Sequence, residues 1–377
     1  MNTAHRIAEL RRLMEAREIA LSLVMNPDNQ QYITGFKALI YSRPIVLAIS
    51  TEKTTLVVPG LEEVHARHEA KVDELLVYYE HPELAGRGKS HLDHLGKILS
   101  GLRNGARVGV EMNFAPVALV EYLRSHGLEV VDVGQKIKEM RFIKDEAEID
   151  LMLEAGRLTS LECRAALGAV RAGVTEMEID AAGSEAVFEE VSAKHPGATL
   201  DILGMTPSGL ERTVMPHVFS NTRKLQAGDI LIHSRQVALN GYRGECERTA
   251  FLGRPSAEQE RAFKVMEEAQ QAALDAFKVG VPMKEVDLAA RRIIQKGGFG
   301  DYAIHRTGHA IGLSAHEEPY LRFDEEMVLE DGMAFSIEPG FYVPGLGGFR
   351  HSDTIILWNG RSQLTTDYPR ELESLIF

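Results

Sequence analysis

The sequence predicts an α/β protein of two domains, a smaller N-terminal one and a larger C-terminal one assembled from two related halves. Three observations carry this. The chain's 377 residues exceed what one hydrophobic core ordinarily organises. Through the first third, short apolar runs rich in β-branched residues alternate with amphipathic helical patterns. From Lys138 onward helices and strands lengthen, and one short motif occurs twice. The domains are therefore placed at residues 1–137 and 138–377.

Each element has its reason. Ile7, Leu10 and Met14 recur at helical spacing between polar residues, which predicts an amphipathic helix over 5–17. IALSLVM, PIVLAIS and TTLVVPG read as buried strands, and ARVGVEM, a helix from Ala115 to Ser125 and LEVVDV repeat the theme up to Gly134. KDEAEIDLMLEAGRLTSLECRAALGAV is dominated by Ala, Leu and Glu and reads as one helix, closed by Gly173. RAGVTEMEIDAA (171–182) and KVGVPMKEVDLA (278–289) share a basic residue, Gly-Val and Glu-(Ile/Val)-Asp at identical spacing. Thr175 and Glu178 form a capping box in the first copy, and Pro282 suits a helix start in the second. A period of this length is too long for a solenoid unit and fits two helix–helix–strand halves with a cleft between them.

Composition narrows the function. Forty-two Lys and Arg against 55 Asp and Glu leave a net charge of −13, a poor footprint for binding phosphate backbones, so no nucleic-acid partner is expected. Glu9, Glu15 and Glu18 interrupt the N-terminal region, and no run approaches a membrane span; a cytoplasmic protein with no membrane partner is expected. Cys163 and Cys246 are too few for a disulfide framework.

Four segments concentrate polar residues in apolar surroundings: MPHVFSNTRK, GDILIHSRQVALNGYRGECERTAFLG, HRTGHAIGLSAHEEP and FSIEPGFYVPGLGGFRHSDTIIL. Period-two geometry puts Glu245 and Glu247 on one strand face, where paired carboxylates need something positive. The third segment offers His305, His309 and His316, and the fourth Glu338, Arg350, His351 and Asp353. A single His or Glu is usually structural; convergence of all four segments marks a site.

The ordered set NPDNQQYITGF, IKDEAEI, GDILI, NGY, ERT, HRTGHAIGL, HEEP and IEPG, from about residue 26 to 357, resembles the pita-bread hydrolases that include aminopeptidase P, prolidase and creatinase. The resemblance implies a ribonuclease-H-like N-terminal α/β domain and a pseudo-symmetric C-terminal one. It also implies a homodimer with the N-terminal domain of one subunit near the other's active site. Metallopeptidases of that family hold two ions with two Asp, one His and two Glu. At the matching positions this chain has Ser234, Glu245, His309, Glu338 and Ser352. Neutral hydroxyls are poor ligands for a divalent cation, so a dinuclear centre is not expected.

The run from His217 to Thr249 is similar to creatinase in spacing, and this resemblance sets the leading expectation. It is a metal-independent hydrolase, with no cofactor, cleaving a C–N bond of amide, amidine or guanidine type in a small zwitterionic substrate. His217 is then the general acid/base, Glu247 and Glu338 grip the substrate's cationic part, and His309 completes the catalytic group. Tyr41 and Arg43, in YSRPIVLAI, match residues lent to the neighbouring subunit. Glu245 would add to the grip on the cation, Arg43, Arg243 or Arg350 would meet the substrate's carboxylate, and His316 would line the same pocket. Arg243 stands where creatinase has a tyrosine and Tyr320 where it has an arginine. The alternatives are a metal-dependent Xaa-Pro dipeptidase with one Mn or Zn ion on Glu245, His309 and Glu338, and a homologue that binds a ligand without turnover.

Overall fold

A computed structural model describes residues 2–39 and 42–377. It divides into two compact units, Met1–Arg141 and Phe142–Phe377. Among the described residues no helix is long and apolar enough to cross a membrane.

The N-terminal unit runs α1 (Thr3–Ala16), β1 (Ile19–Val24), α2 (Pro27–Thr34), β2 (Val46–Ser50), β3 (Thr54–Pro59), α3 (Glu63–Glu69), β4 (Glu74–Tyr78), α4 (His91–Leu99), β5 (Arg107–Val110), α5 (Val117–Ser125), β6 (Glu129–Asp132) and α6 (Gly134–Met140). Its sheet has the order β4-β3-β2-β1-β5-β6, with β1, β2 and β3 antiparallel and the outer strands added in parallel. Leu10 and Met14 form the buried stripe of α1, as their spacing requires. The NPDN motif starts α2: Asn26 caps it, Pro27 opens it, and buried Glu111 accepts from the backbone amides of Met25 and Asn26 and from Asn29.

The C-terminal unit continues with α7 (Glu146–Gly168), α8 (Glu176–Lys194), β7 (Leu200–Met205), β8 (Ile230–Leu239), β9 (Tyr242–Phe251), α9 (Ala257–Ala276), α10 (Met283–Lys296), β10 (Gly308–Ala310), β11 (Glu317–Leu321), β12 (Ala334–Ile337), β13 (Gly340–Val343), β14 (Gly347–Arg350), β15 (Ser352–Trp358) and β16 (Arg361–Leu364). The large sheet runs β11-β10-β12-β15-β9-β8-β7, with β16 on β15. Its core draws Phe263, Met266 and Ala269 from α9 and Val286, Ala290 and Ile294 from α10 against Phe335, Ile337 and Ile355 of the sheet.

The repeated motif occupies the same place in both halves, between the first helix and the second. Gly173 and Gly280 take left-handed φ of 84° and 83°, and each donates its amide at 2.8 Å, to the carbonyls of Leu225 and Leu329. Thr175 bridges to Lys224 and Pro282 to Val328. The Asp of each copy then holds a threonine: Thr206 Oγ1 donates to Asp180 at 2.5 Å, and the Thr307 amide to Asp287 at 2.8 Å. The two halves repeat the glycine turn, the bridge and an Asp–Thr contact, the mark of a pseudo-symmetric α/β fold.

Candidate functional site

The β8–β9 hairpin turns on Asn240 and Gly241, both at positive φ, and sets the register of the site. In that register Ser234 lies opposite Glu247 and Gln236 opposite Glu245, while on the other side Ser352 of β15 lies opposite Glu247. Strand alternation sends His233, Arg235, Cys246 and Arg248 to the opposite face. His351 also packs away from the site, edge-on to Phe263 and bonded to the Arg370 carbonyl at 3.0 Å.

Glu245 is buried and accepts three side-chain hydrogen bonds. Ser352 Oγ donates to it at 2.7 Å, and Ser336 Oγ and Gln236 Nε2 make closer bonds. Burial pushes its carboxyl up, but His309 and these three donors outweigh burial and hold it below the ordinary carboxylate value. Glu247 is ion-paired instead: Arg350 Nε lies 2.5 Å from one oxygen, and another guanidinium nitrogen donates to the other at 2.7 Å. Burial, joined by Glu245, still leaves the Glu247 carboxyl above its ordinary value despite Arg350. Glu338 stands well above, through burial and the negative charges of Glu245 and Glu247. Arg350 also donates to Tyr342 Oη at 2.9 Å, and that hydroxyl lies 3.0 Å from His305 Nε2.

His309 stands against this acidic group. Its Nδ1 lies 3.0 Å from the Ala310 carbonyl, a contact that needs the proton on Nδ1 and leaves a lone pair on Nε2. Nε2 is buried with no hydrogen-bond partner, 3.5 Å from Glu338 and 3.8 Å from Glu245. The His316 ring stacks on it, centroids 3.7 Å apart. Burial, with the His309 ring stacked against it, pushes His316 down to about 4, and burial with Arg350 does the same to His305. All three imidazoles are neutral at pH 7.

A lone pair facing two carboxylate oxygens suits a cation between them. Glu245, His309 and Glu338 fit one divalent ion in this way. Ligand atoms of Glu245, His309 and His316, and separately of Glu245, Glu247 and Glu338, lie within 4.8 Å of one another. A second ion does not fit. Ser352 spends its hydroxyl on Glu245 and Ser234 bonds Glu247, while the Arg350 guanidinium already supplies positive charge beside Glu247.

The structure thus gathers Glu245, Glu247, His309, His316, Glu338 and Arg350. His217 lies exposed on the loop before β8, within electrostatic reach of Arg350, Arg306 and Glu245; partial burial and the two cations lower its pKa. Arg243 points elsewhere, pairing with Asp201. Arg43 belongs to the N-terminal unit, where it pairs with Glu80 at 2.7 Å, and Tyr41 lies outside the described residues. Sequence reasoning missed Ser336, Gln236 and Tyr342, which hold the acids and Arg350, and Arg306, three residues before His309. Gln236 was recoverable from its place opposite Glu245; the others depend on contacts between distant segments.

A model of metallopeptidase family M24 matches residues 150–358, and a creatinase/prolidase N-terminal domain model matches residues 6–143. The putative dipeptidase YkvY of Bacillus subtilis is 30% identical over 99% of both chains. The Xaa-Pro dipeptidase of Pyrococcus furiosus is 30% identical over 97% of this chain and 99% of its own. The solved prolidase of Pyrococcus horikoshii OT3 superposes with a TM-score of 0.87 at 28% identity, covering 98% of this chain and 99% of that one.

These relatives overturn the expectation of a metal-independent, creatinase-like hydrolase without a cofactor: they are dipeptidases and prolidases within a metallopeptidase family. The physical reason is visible in the site. Two serines remove the ligands of one ion and leave a three-ligand set for the other, and Glu247, expected to grip a cationic substrate, is already neutralised by Arg350. The chain belongs to metallopeptidase family M24 and opens with a creatinase/prolidase N-terminal domain.

Proposed function

We propose that this chain is a metal-dependent Xaa-Pro dipeptidase with a reduced, one-ion centre, working as a cytoplasmic homodimer. The observation that carries the reading is the buried, unpartnered Nε2 of His309 facing Glu245 and Glu338. Relatives named Xaa-Pro dipeptidase, aligned along nearly the whole chain, support the substrate class.

Glu245, His309 and Glu338 would hold the ion, which when bound supplies Lewis-acid polarisation of the scissile carbonyl and an acidified water. The remaining residues bind and move protons. Cleaving an Xaa-Pro bond expels a secondary amine, which must be protonated as it leaves. His217 and His316 are held neutral and suit proton transfer at this point: one imidazole accepts the proton of the attacking water, and the other hydrogen-bonds the oxygen that becomes negative. Arg350, clamped to Glu247, adds fixed positive charge that costs no reorganisation during the reaction.

The test is metal analysis together with turnover. The chain loaded with Mn²⁺ and freed of excess ion is expected to retain one ion and to hydrolyse Ala-Pro faster than Ala-Ala. Retention of two ions sinks the reduced centre, and the absence of hydrolysis across a panel of Xaa-Pro dipeptides sinks the activity.

A further inference from the structure

We infer that Arg306, laid on the face of Tyr320, receives the carboxylate of the substrate and so selects peptides that end one residue beyond the scissile bond. The inference rests on the dipeptidase reading and names the residue that would enforce it.

Arg306 differs from every other cation at this site in having no carboxylate. Among the described residues Arg350 is paired with Glu247, Arg243 with Asp201, Arg291 with Asp287 and Lys144 with Glu317. The Arg306 guanidinium carbon instead lies 4.1 Å from the centroid of the Tyr320 ring, and its Nε is buried without a hydrogen-bond partner. A partly buried guanidinium is costly to leave unpaired. The aromatic face compensates in part and fixes the plane of the fork, leaving its donors free for a bidentate acceptor.

The position is right for the substrate. One Arg306 terminal nitrogen lies 3.5 Å from His316 Nδ1, and His316 stacks directly on His309. Tyr320 sits opposite His309 in the β10–β11 register. Tyr320, Arg306, His316 and His309 therefore form one continuous row of contacts ending at the ion's ligands.

An Xaa-Pro dipeptide brings a carboxylate a few ångströms from its scissile bond. That anion cannot approach the acids Glu245, Glu247 and Glu338, and Arg350 is already occupied. Among the described residues of this unit, Arg306 is the cation at the site left to meet it. A peptide extended at the C-terminus, or one ending in an amide, forfeits the charge-assisted pair and places a bulkier, neutral group against the guanidinium.

Steady-state kinetics of the full-length Mn²⁺-loaded chain on Ala-Pro and on Ala-prolinamide test this, alongside calorimetric binding of L-proline. Arg306→Met is expected to raise KM for Ala-Pro and Kd for proline by roughly 10- to 100-fold, with kcat moving much less and Ala-prolinamide unaffected. Arg306→Lys, which keeps the charge without the fork, should fall between and serves where Arg306→Met does not fold. KM for Ala-Pro within twofold of the parent in a folded variant overturns the role of Arg306 and leaves the dipeptidase reading intact. A parent chain that cleaves no Xaa-Pro dipeptide overturns both.

Discussion

The two faces of the β8–β9–β15 layer carry similar residues arranged to different ends. On the face toward α7 and α9, Arg248 pairs with Asp353 at 2.9 Å and donates to the carbonyls of Glu247, Ser352, Tyr368 and Pro369. Arg235 lies 2.7 Å from Glu162 and also contacts Asp180. Every carboxylate there touches a guanidinium. On the other face three acids share one paired arginine, and a histidine nitrogen has no partner. Buried charge alone therefore does not mark a functional site. What marks it is charge left uncompensated, because an isolated protein has no reason to tolerate it unless a ligand arrives.

Breaking the sealed face should have the largest effect. Arg248→Met removes the partner of a buried aspartate and leaves several carbonyls without a donor. It should cost about 3–5 kcal/mol in unfolding free energy of the C-terminal unit. Denaturant titration followed by far-ultraviolet circular dichroism measures it, and a loss under about 1 kcal/mol would remove the distinction between the faces.

The open face should respond with the opposite sign. Glu338→Gln keeps the side-chain shape while removing one of three mutually repelling acids, so the metal-free protein should melt no lower than the parent and gain up to about 1 kcal/mol. Mn²⁺ affinity should fall at least about tenfold, a loss of roughly 1.4 kcal/mol or more. Thermal melting with and without the ion separates the two effects; destabilisation of the metal-free protein would place Glu338 with the structural charges.

The sequence reveals these faces unevenly. The duplicated halves are legible because Gly173, Gly280, Thr175 and Pro282 do local work, at turns and helix starts that short-range chemistry specifies. The strands from Ile19, Val46 and Thr54 are legible because they are buried on both sides. Strand β4 escaped notice because ELLVY lies at the sheet edge with most of its residues only half-buried. Alternation places Glu245 and Glu247 together but cannot show where a long side chain ends. Arg243 shares their face yet is drawn to Asp201, aligned with it across β8 through Ala238. The cofactor was misjudged because the serines were weighed as the loss of a whole site, whereas ligation depends on which oxygens and nitrogens still converge. Arg306 was invisible because its role depends on a stack across β10 and β11.

The smallest expected effect is a slope. Glu162, on the sealed face, has its carboxyl pushed up to about 8 by burial, with Asp180 adding to this and Arg235 opposing it. An acid with a raised folded pKa binds more protons folded than unfolded between the ordinary carboxylate range and about pH 8. Its contribution to stability is therefore fully present at low pH and falls as pH rises through that window, by at most about 1.4 kcal/mol per unit for one proton. Histidines run the other way: His351, pushed down to about 3 by burial and Arg248, makes stability rise with pH up to the ordinary imidazole range. Histidines and the other raised carboxyls, Glu247 and Glu338, titrate alike in parent and variant, so the difference between the parent and Glu162→Gln isolates Glu162 up to about pH 8. Glu162→Gln should flatten the decline of unfolding free energy across this interval while leaving Mn²⁺ affinity unchanged. An unaltered slope would show that Arg235 keeps Glu162 ionised, and that the sealed face holds its charges as pairs throughout.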